Sequence, residues 1–312
     1  MEYIWLIIGF ALLIKGADFF VDGASSVAAK LKVPSLIIGL TVVSIGTSLP
    51  EASVSISASL EGANGISLGN VIGSNIFNLL MVVGISSVIL PIMTDKAILK
   101  RDMPMNIGFT VVLLLMLSNS YLSRWEAAVL LVLLVVYLVI LIRSALKNRE
   151  EAEEAKVLSW FKSILFIVLG AAAIIFGGDR VVESSKIIAH NFGMSDTLIG
   201  LTVVALGTSL PELVTSVVAA RKGDSGIAMG NVVGSCIFNI LFILGMAGVL
   251  CPMKADTTFF IDTGILLGVC GIMMLFAATK NKTSRTEGLI CVLIYVAYTA
   301  YIIMRQYGIW IF

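Results

Sequence analysis

The hexapeptide Gly-Thr-Ser-Leu-Pro-Glu occurs twice in this chain, at Gly46–Glu51 and at Gly207–Glu212. Each copy sets a carboxylate in the middle of an apolar stretch long enough to cross a bilayer, which takes about 20 residues. A carboxylate buried there without a partner costs several kcal/mol or more. Two of them at matching places demand a partner, and the simplest one that answers both is a cation. This pair of motifs restricts the fold more than any other feature, because it calls for a membrane-spanning bundle with a polar centre.

Composition agrees. The chain is 58% hydrophobic and only 13% charged, where a soluble protein carries about a quarter charged residues. Mean hydropathy is +1.03. The net charge of +1 and the lack of a basic patch give no reason to expect nucleic acid as a partner. Cys236, Cys251, Cys270 and Cys291 lie in or beside apolar segments without metal-ligand spacing and read as free thiols. Met1 and Glu2 lead straight into a long span, so no cleavable leader is expected.

Apolar segments fall near 3–25, 35–60, 66–90, 103–119 and 123–142, then near 163–189, 196–220, 227–250, 259–278 and 286–304. The fold expected is an all-α polytopic membrane protein of ten transmembrane helices. The two sets of five match. Ile38–Val43 and Ile199–Val204 both read IGLTVV; Gly69–Asn78 reads GNVIGSNIFN and Gly230–Asn239 reads GNVVGSCIFN, all at a constant offset of 161 residues. The same offset pairs Asp18 with Asp179, Pro91 with Pro252 and Asp95 with Asp256. The chain therefore divides into a first five-helix repeat over 1–142, a linker over 143–162 and a second repeat over 163–312.

An odd number of spans per repeat makes the two repeats face opposite ways across the bilayer. Counting Lys and Arg in the connections puts fifteen on one side and three on the other. The basic side is expected to be cytoplasmic, which places the linker there and both termini outside. Inverted repeats that meet at the midplane are a recurring plan for secondary transporters.

Within each motif the proline lacks an N–H and kinks the helix. Such a break is tolerated at membrane depth only where it is buried or lines a cavity. Freed carbonyls, the hydroxyls of Thr47 and Ser48, and the Glu51 carboxylate are oxygen donors, repeated by Thr208, Ser209 and Glu212. Hard cations favour this chemistry, and calcium takes six to eight oxygens. Ser74 and Asn78, and likewise Ser235 and Asn239, are four residues apart and share a helix face. Each pair presents a hydroxyl and an amide, either as ligands or, for the asparagines, as interhelical hydrogen bonds. Asn70 and Asn231 sit one turn back and read as structural. Gly69 and Gly73, and Gly230 and Gly234, permit close helix approach. Asp18 and Asp179 read as local in role, paired with Lys15 and Arg180 or placed at a helix end. His190 is expected in the loop before the seventh span, and the Glu150–Glu154 run in a solvated loop.

The duplicated GTSLPE and GN-V-x-GS-x-IFN blocks resemble the two repeats of the cation/calcium antiporter superfamily, prokaryotic sodium/calcium exchanger type, along essentially the whole chain. The resemblance implies Na+ and Ca2+ as transported ions, with Sr2+ as a further candidate, no cofactor, and a single chain in the bilayer as the functional unit. It implies ligands from Thr47, Ser48, Glu51, Ser74, Thr208, Ser209, Glu212 and Ser235, with the backbone carbonyls of Ser44 and Ala205, and a sliding gate made by the first and sixth spans. Some members carry Asp where this chain has Asn239, so potassium co-transport is not expected. The GNAxE-type motif of the proton/calcium branch is replaced by GNVIG and GNVVG. Calcium/proton exchange by the same two carboxylates is the alternative reading. A channel lacks a filter loop here, and an enzyme lacks a Ser/His/Asp set inside the spans.

Overall fold

The protein's computed structural model describes residues 2–147, 157–192 and 205–306. Helix α1 spans Glu2–Leu31, α2 Ser35–Thr47, α3 Leu49–Leu60, α4 Asn64–Ile89, α5 Ile98–Asn119 and α6 Arg124–Lys147. In the second half α7 spans Trp160–Asn191, α8 Ala205–Gly207, α9 Leu210–Arg221, α10 Ser225–Leu250, α11 Thr257–Asn281 and α12 Arg285–Gln306. Among the described residues eight helices are long and apolar enough to cross a membrane, and the bent pair α2–α3 makes a ninth. The span expected over 196–220 is described only from Ala205. The second IGLTVV copy and the Glu150–Glu154 run lie outside the described residues.

Local chemistry sets the helix starts. Ser159 caps α7 by accepting from the Lys162 N–H at 3.3 Å, so α7 begins at Trp160, inside the expected linker, while α6 runs on to Lys147. Reciprocal capping boxes begin α6 and α12. The Glu126 carboxylate accepts from the Ser123 N–H at 2.8 Å, and the Glu287 carboxylate from the Ser284 N–H at 2.7 Å.

His190 is a correction. It lies in the last turn of α7 and not in a loop, because no glycine or proline stands between Gly178 and Gly193. Asp179 is another: it makes no ion pair among the described residues. Its neighbour Arg180 instead lies over the Phe176 ring, one turn back on the same helix and 5.4 Å from the centroid. Asp18 does pair, with Lys15 at 3.8 Å and with Lys222 at 3.4 Å. All four cysteines are free.

Two short ladders tie the halves together. β1 (Ile92–Met93) pairs antiparallel with β4 (Lys282–Thr283), and β2 (Tyr121–Leu122) with β3 (Met253–Lys254). Exchanging each residue for its partner 161 positions away turns the first ladder into the second, register included. Because α5 joins β1 to β2, the ladders sit at opposite ends of that helix.

The α1–α7 seam obeys the same exchange. A Cβ on Gly9 would meet the Gly177 carbonyl at 2.9 Å and one on Gly16 the Gly170 carbonyl at 2.9 Å, so the helices run antiparallel almost backbone to backbone. Contacts that recur when the two copies are swapped are the mark of pairing about a two-fold axis.

Helices α4 and α10 form the centre, with 72% and 83% of their apolar windows buried. Helices α6 and α12 lie outside and expose Val132, Val135, Leu293 and Val296, each more than half accessible. An apolar rim of this kind faces lipid. The fold is that of an all-α multi-pass membrane protein.

Candidate cation site

Both motif copies break their helices at the serine and not at the proline. Ser48 has φ −86° and ψ 7°, and Ser209 has φ −92° and ψ 7°. Pro50 and Pro211 then fall in the first turns of α3 and α9, where a missing N–H costs nothing. The α2–α3 axis bends by 50°. Because the break comes at Ser48 itself, the Ser44 carbonyl keeps its helical donor, the Ser48 N–H at 3.1 Å. It also lies 3.3 Å from Thr47 Oγ1, so a cation there would have to displace a hydroxyl.

Glu51 and Glu212 begin α3 and α9, pointing their carboxylates into the same fully enclosed interior; each is 0% exposed. Each is held by the opposite half. Ser48 Oγ donates to Glu212 Oε1 at 2.8 Å, and Ser209 Oγ lies 3.0 Å from Glu51 Oε1. Ser209 Oγ also lies 3.1 Å from Ser74 Oγ, and Ser235 Oγ 3.5 Å from both Glu212 Oε1 and the Ser44 carbonyl. The second oxygen of each carboxylate, Oε2, is buried with no hydrogen-bond partner among the described residues. Since buried polar atoms are nearly always satisfied, two orphaned carboxylate oxygens in one interior call for a positive ligand.

Thr47 donates to Asn231 Oδ1 at 3.0 Å, and Thr208 to Asn70 Oδ1 at 3.4 Å. The two asparagines work as braces. Asn70 Nδ2 reaches the Glu51 carbonyl at 3.3 Å and Ser55 Oγ at 2.9 Å; Asn231 Nδ2 reaches the Glu212 carbonyl at 3.3 Å and Ser216 Oγ at 2.9 Å. Their structural reading holds. Ser55 and Ser216 lie in the spans of the two motifs, four residues beyond each glutamate, and that spacing could have flagged them.

Close approach of α10 to α2 brings Ser235 to Ser44. A Cβ on Gly230 would meet the Leu36 carbonyl at 2.8 Å, and one on Gly234 the Leu40 carbonyl at 2.8 Å. Asn239 and Asn78 open π-helical turns, Asn239–Leu244 and Asn78–Val82, a feature frequent at functional sites. Asn239 Nδ2 donates to Asn75 Oδ1 at 3.0 Å, whereas both polar atoms of Asn78 are buried without a partner among the described residues. Ala205 opens α8 at the edge of the described residues. The structure thus gathers Ser44, Thr47, Ser48, Glu51, Ser74, Thr208, Ser209, Glu212 and Ser235 around the crossed carboxylates. Asn75, which sequence reasoning passed over, joins Asn239.

The crossed serines carry a prediction. Ser48→Ala and Ser209→Ala each remove one hydroxyl from one carboxylate, a bond worth about 1.5–3 kcal/mol when one partner is charged. Each is expected to weaken calcium binding about tenfold or more, by similar factors, as read by titration calorimetry on purified protein. A strong effect from one and none from the other would show that the two carboxylates are not equivalent.

The family model for the sodium/calcium exchanger protein matches residues 1–143 and 162–304. The chain is 35% identical over 340 residues to the sodium/calcium exchanger MaX1 of Methanosarcina acetivorans, covering 96% of this chain and 97% of that one. It is 36% identical over 261 residues to the inner membrane protein YrbG of Escherichia coli, covering 80% of each. A solved structure of the sodium-calcium exchanger NCX_Mj, soaked with Na+ and Sr2+, superposes with a TM-score of 0.84 at 33% identity, covering 96% of this chain and 98% of that one.

Proposed function

The chain belongs to the sodium/calcium exchanger family, and on that premise we propose that it is a secondary active antiporter exchanging three Na+ for one Ca2+ by alternating access around Glu51 and Glu212. The observation that carries this reading is the pair of fully buried carboxylates, each bonded to the serine of the other half and each left with one oxygen unpartnered among the described residues.

With both ionised, one Ca2+ leaves the site neutral, three Na+ leave it at one positive charge, and without cations it carries two negative charges. Two like charges enclosed in low dielectric repel strongly. An unloaded site therefore resists occlusion, and exchange is favoured over leak. The cycle moves one net charge, worth about 2.3 kcal/mol per 100 mV. With sodium high outside and the interior negative, the direction is calcium extrusion. Strontium, present in the NCX_Mj soaks, is a further candidate ion. One chain in the cell membrane, with the termini outside and the linker cytoplasmic, forms the unit.

Access supports the reading. A cavity of about 530 Å³ is bordered by Pro50, Pro211 and Thr208 and so reaches the motifs. At the other end the α9–α10 turn clasps α1 and α2. Lys222 Nζ donates to Asp22 Oδ1 at 2.7 Å, and Asp224 accepts from Ser25 at 3.0 Å and Ser35 at 2.8 Å. The cavity of about 660 Å³ there borders none of the candidate ligands among the described residues. The cavity at one end thus reaches Thr208 while both carboxylates stay buried, and the other end is clasped, an arrangement that suits alternating access. The reciprocal ladders and seam support the inverted arrangement of the repeats.

The test is radioactive calcium uptake into sodium-loaded proteoliposomes. Uptake is expected to need internal sodium and to respond to a potassium diffusion potential. Uptake driven by a proton gradient without sodium would assign calcium/proton exchange instead.

A further inference from the structure

The two GN-V-x-GS-x-IFN blocks differ at one polar position: Asn75 in the first half is Cys236 in the second. These two residues face each other across the centre of the molecule. Asn75 Nδ2 donates to the Cys236 carbonyl at 3.1 Å, and Cys236 Sγ lies 3.8 Å from the Asn75 carbonyl. Asn75 is 0% exposed and also bonds Asn239.

The orientation of these amides follows from what each partner can do. A backbone carbonyl only accepts, so Asn75 must turn its NH2 to Cys236. That leaves the Asn75 oxygen toward Asn239, and Asn239 must answer with its own NH2. The Asn239 oxygen is then left over. It is buried and has no partner among the described residues. Asn239 stands one turn beyond Ser235, on the face that carries Ser235 to Glu212. Its mate Asn78 has no such lock. The residue that would hold it by exchange of the halves is Cys236, which has no amide, and both Asn78 polar atoms are unpartnered among the described residues.

We propose that Asn75 is a positioning residue for the cation site: by taking the NH2 of Asn239 it fixes the Asn239 carbonyl oxygen as a preoriented cation acceptor, while Asn78 stays free to turn. The proposal rests on the reading of this interior as a Na+ and Ca2+ site. It makes the two pseudo-equivalent sides of that site unequal. A fixed oxygen binds a cation without first losing rotational freedom; a free amide must give that freedom up on binding.

A double-mutant cycle tests it, with Asn75→Cys, Asn239→Ala and the double variant, and Ca2+ binding to purified protein read by titration calorimetry. Cysteine is chosen because the other half already packs it at the equivalent position; Asn75→Ala is the second choice, and thermal unfolding without ions checks that each variant is folded. Asn75→Cys is expected to weaken Ca2+ binding about fivefold, the size of one net hydrogen bond, and to have no further effect once Asn239 is alanine. A structural role at Cys236 would lower thermal stability in both backgrounds but would leave that coupling absent. Equal weakening in both backgrounds, or no weakening in either, overturns the proposal. Wild-type protein that binds Ca2+ but shows no sodium-dependent uptake overturns the exchange reading while the cycle still decides the role of Asn75. Wild-type protein that binds neither ion overturns both.

Discussion

Glu51→Gln and Glu212→Gln are each expected to reduce sodium-dependent calcium uptake at least about a hundredfold. Glutamine keeps the volume and the oxygen that accepts from the opposing serine, so the substitution removes charge and little else. A unit charge pair about 4 Å apart gains about 4 kcal/mol at an effective dielectric of 20, and a divalent ion doubles it. Each 1.4 kcal/mol or so is tenfold in binding, so losing one of two carboxylates is ample to abolish calcium binding at ordinary concentrations. Because each variant also relieves a buried charge, both proteins should fold and unfold at the wild-type temperature or above it. The measurement is uptake into proteoliposomes beside thermal unfolding in detergent. Calcium flux retained in either folded variant would remove that carboxylate from the transport site.

Gly170→Val should separate movement from binding. A Cβ at Gly170 would lie 2.7 Å from the Phe20 nitrogen and 2.8 Å from the Gly16 carbonyl. These are backbone atoms, and they cannot turn aside as a side chain would. The α1–α7 seam must open to admit the new group, at an overpacking cost of about 1–3 kcal/mol. The seam bears on the motifs. Phe20 of α1 lies against Gly46, where a Cβ would approach the ring at 2.8 Å, and a Cβ on Gly178 of α7 would lie 3.7 Å from Pro211. If α1 and α7 slide as a pair to expose the site alternately, valine in their seam slows exchange by tenfold or more and leaves equilibrium Ca2+ binding within about twofold. Binding lost in step with transport would show that the seam shapes the site and does not gate it. Unimpaired exchange would exclude α1–α7 as the moving pair.

The site was legible in the sequence to an unusual depth, for a physical reason. A duplicated motif carries its own internal control, since Glu51 and Glu212, or Ser48 and Ser209, appear twice in the same apolar setting. What hid from that reading lies in the contacts between the copies. Thr47 is one helical turn from Glu51 in sequence, which pointed to a set of ligands local to each half. The helix breaks at Ser48, one residue before the leucine that precedes Pro50, and the hydroxyls cross to the other half instead. Asn75 was invisible as a functional residue because its copy is a cysteine, so the repeat that revealed the other polar positions argued nothing for it. The expected Asp179–Arg180 pairing failed because the guanidinium turns to the Phe176 ring one turn back, an alternative that a charge pattern alone does not show.

Amino-acid order alone settles that this chain is a polytopic membrane protein of two homologous halves with two carboxylates at its polar centre. Hydropathy and repetition are properties of the chain itself, and the cost of burying charge in lipid does not depend on the details of packing. Folding alone decides which serine meets which carboxylate, which amide is locked and which is free, and which end of the bundle is clasped. Those outcomes depend on how two helix breaks and a glycine seam fit together, and nothing local to either half contains that information.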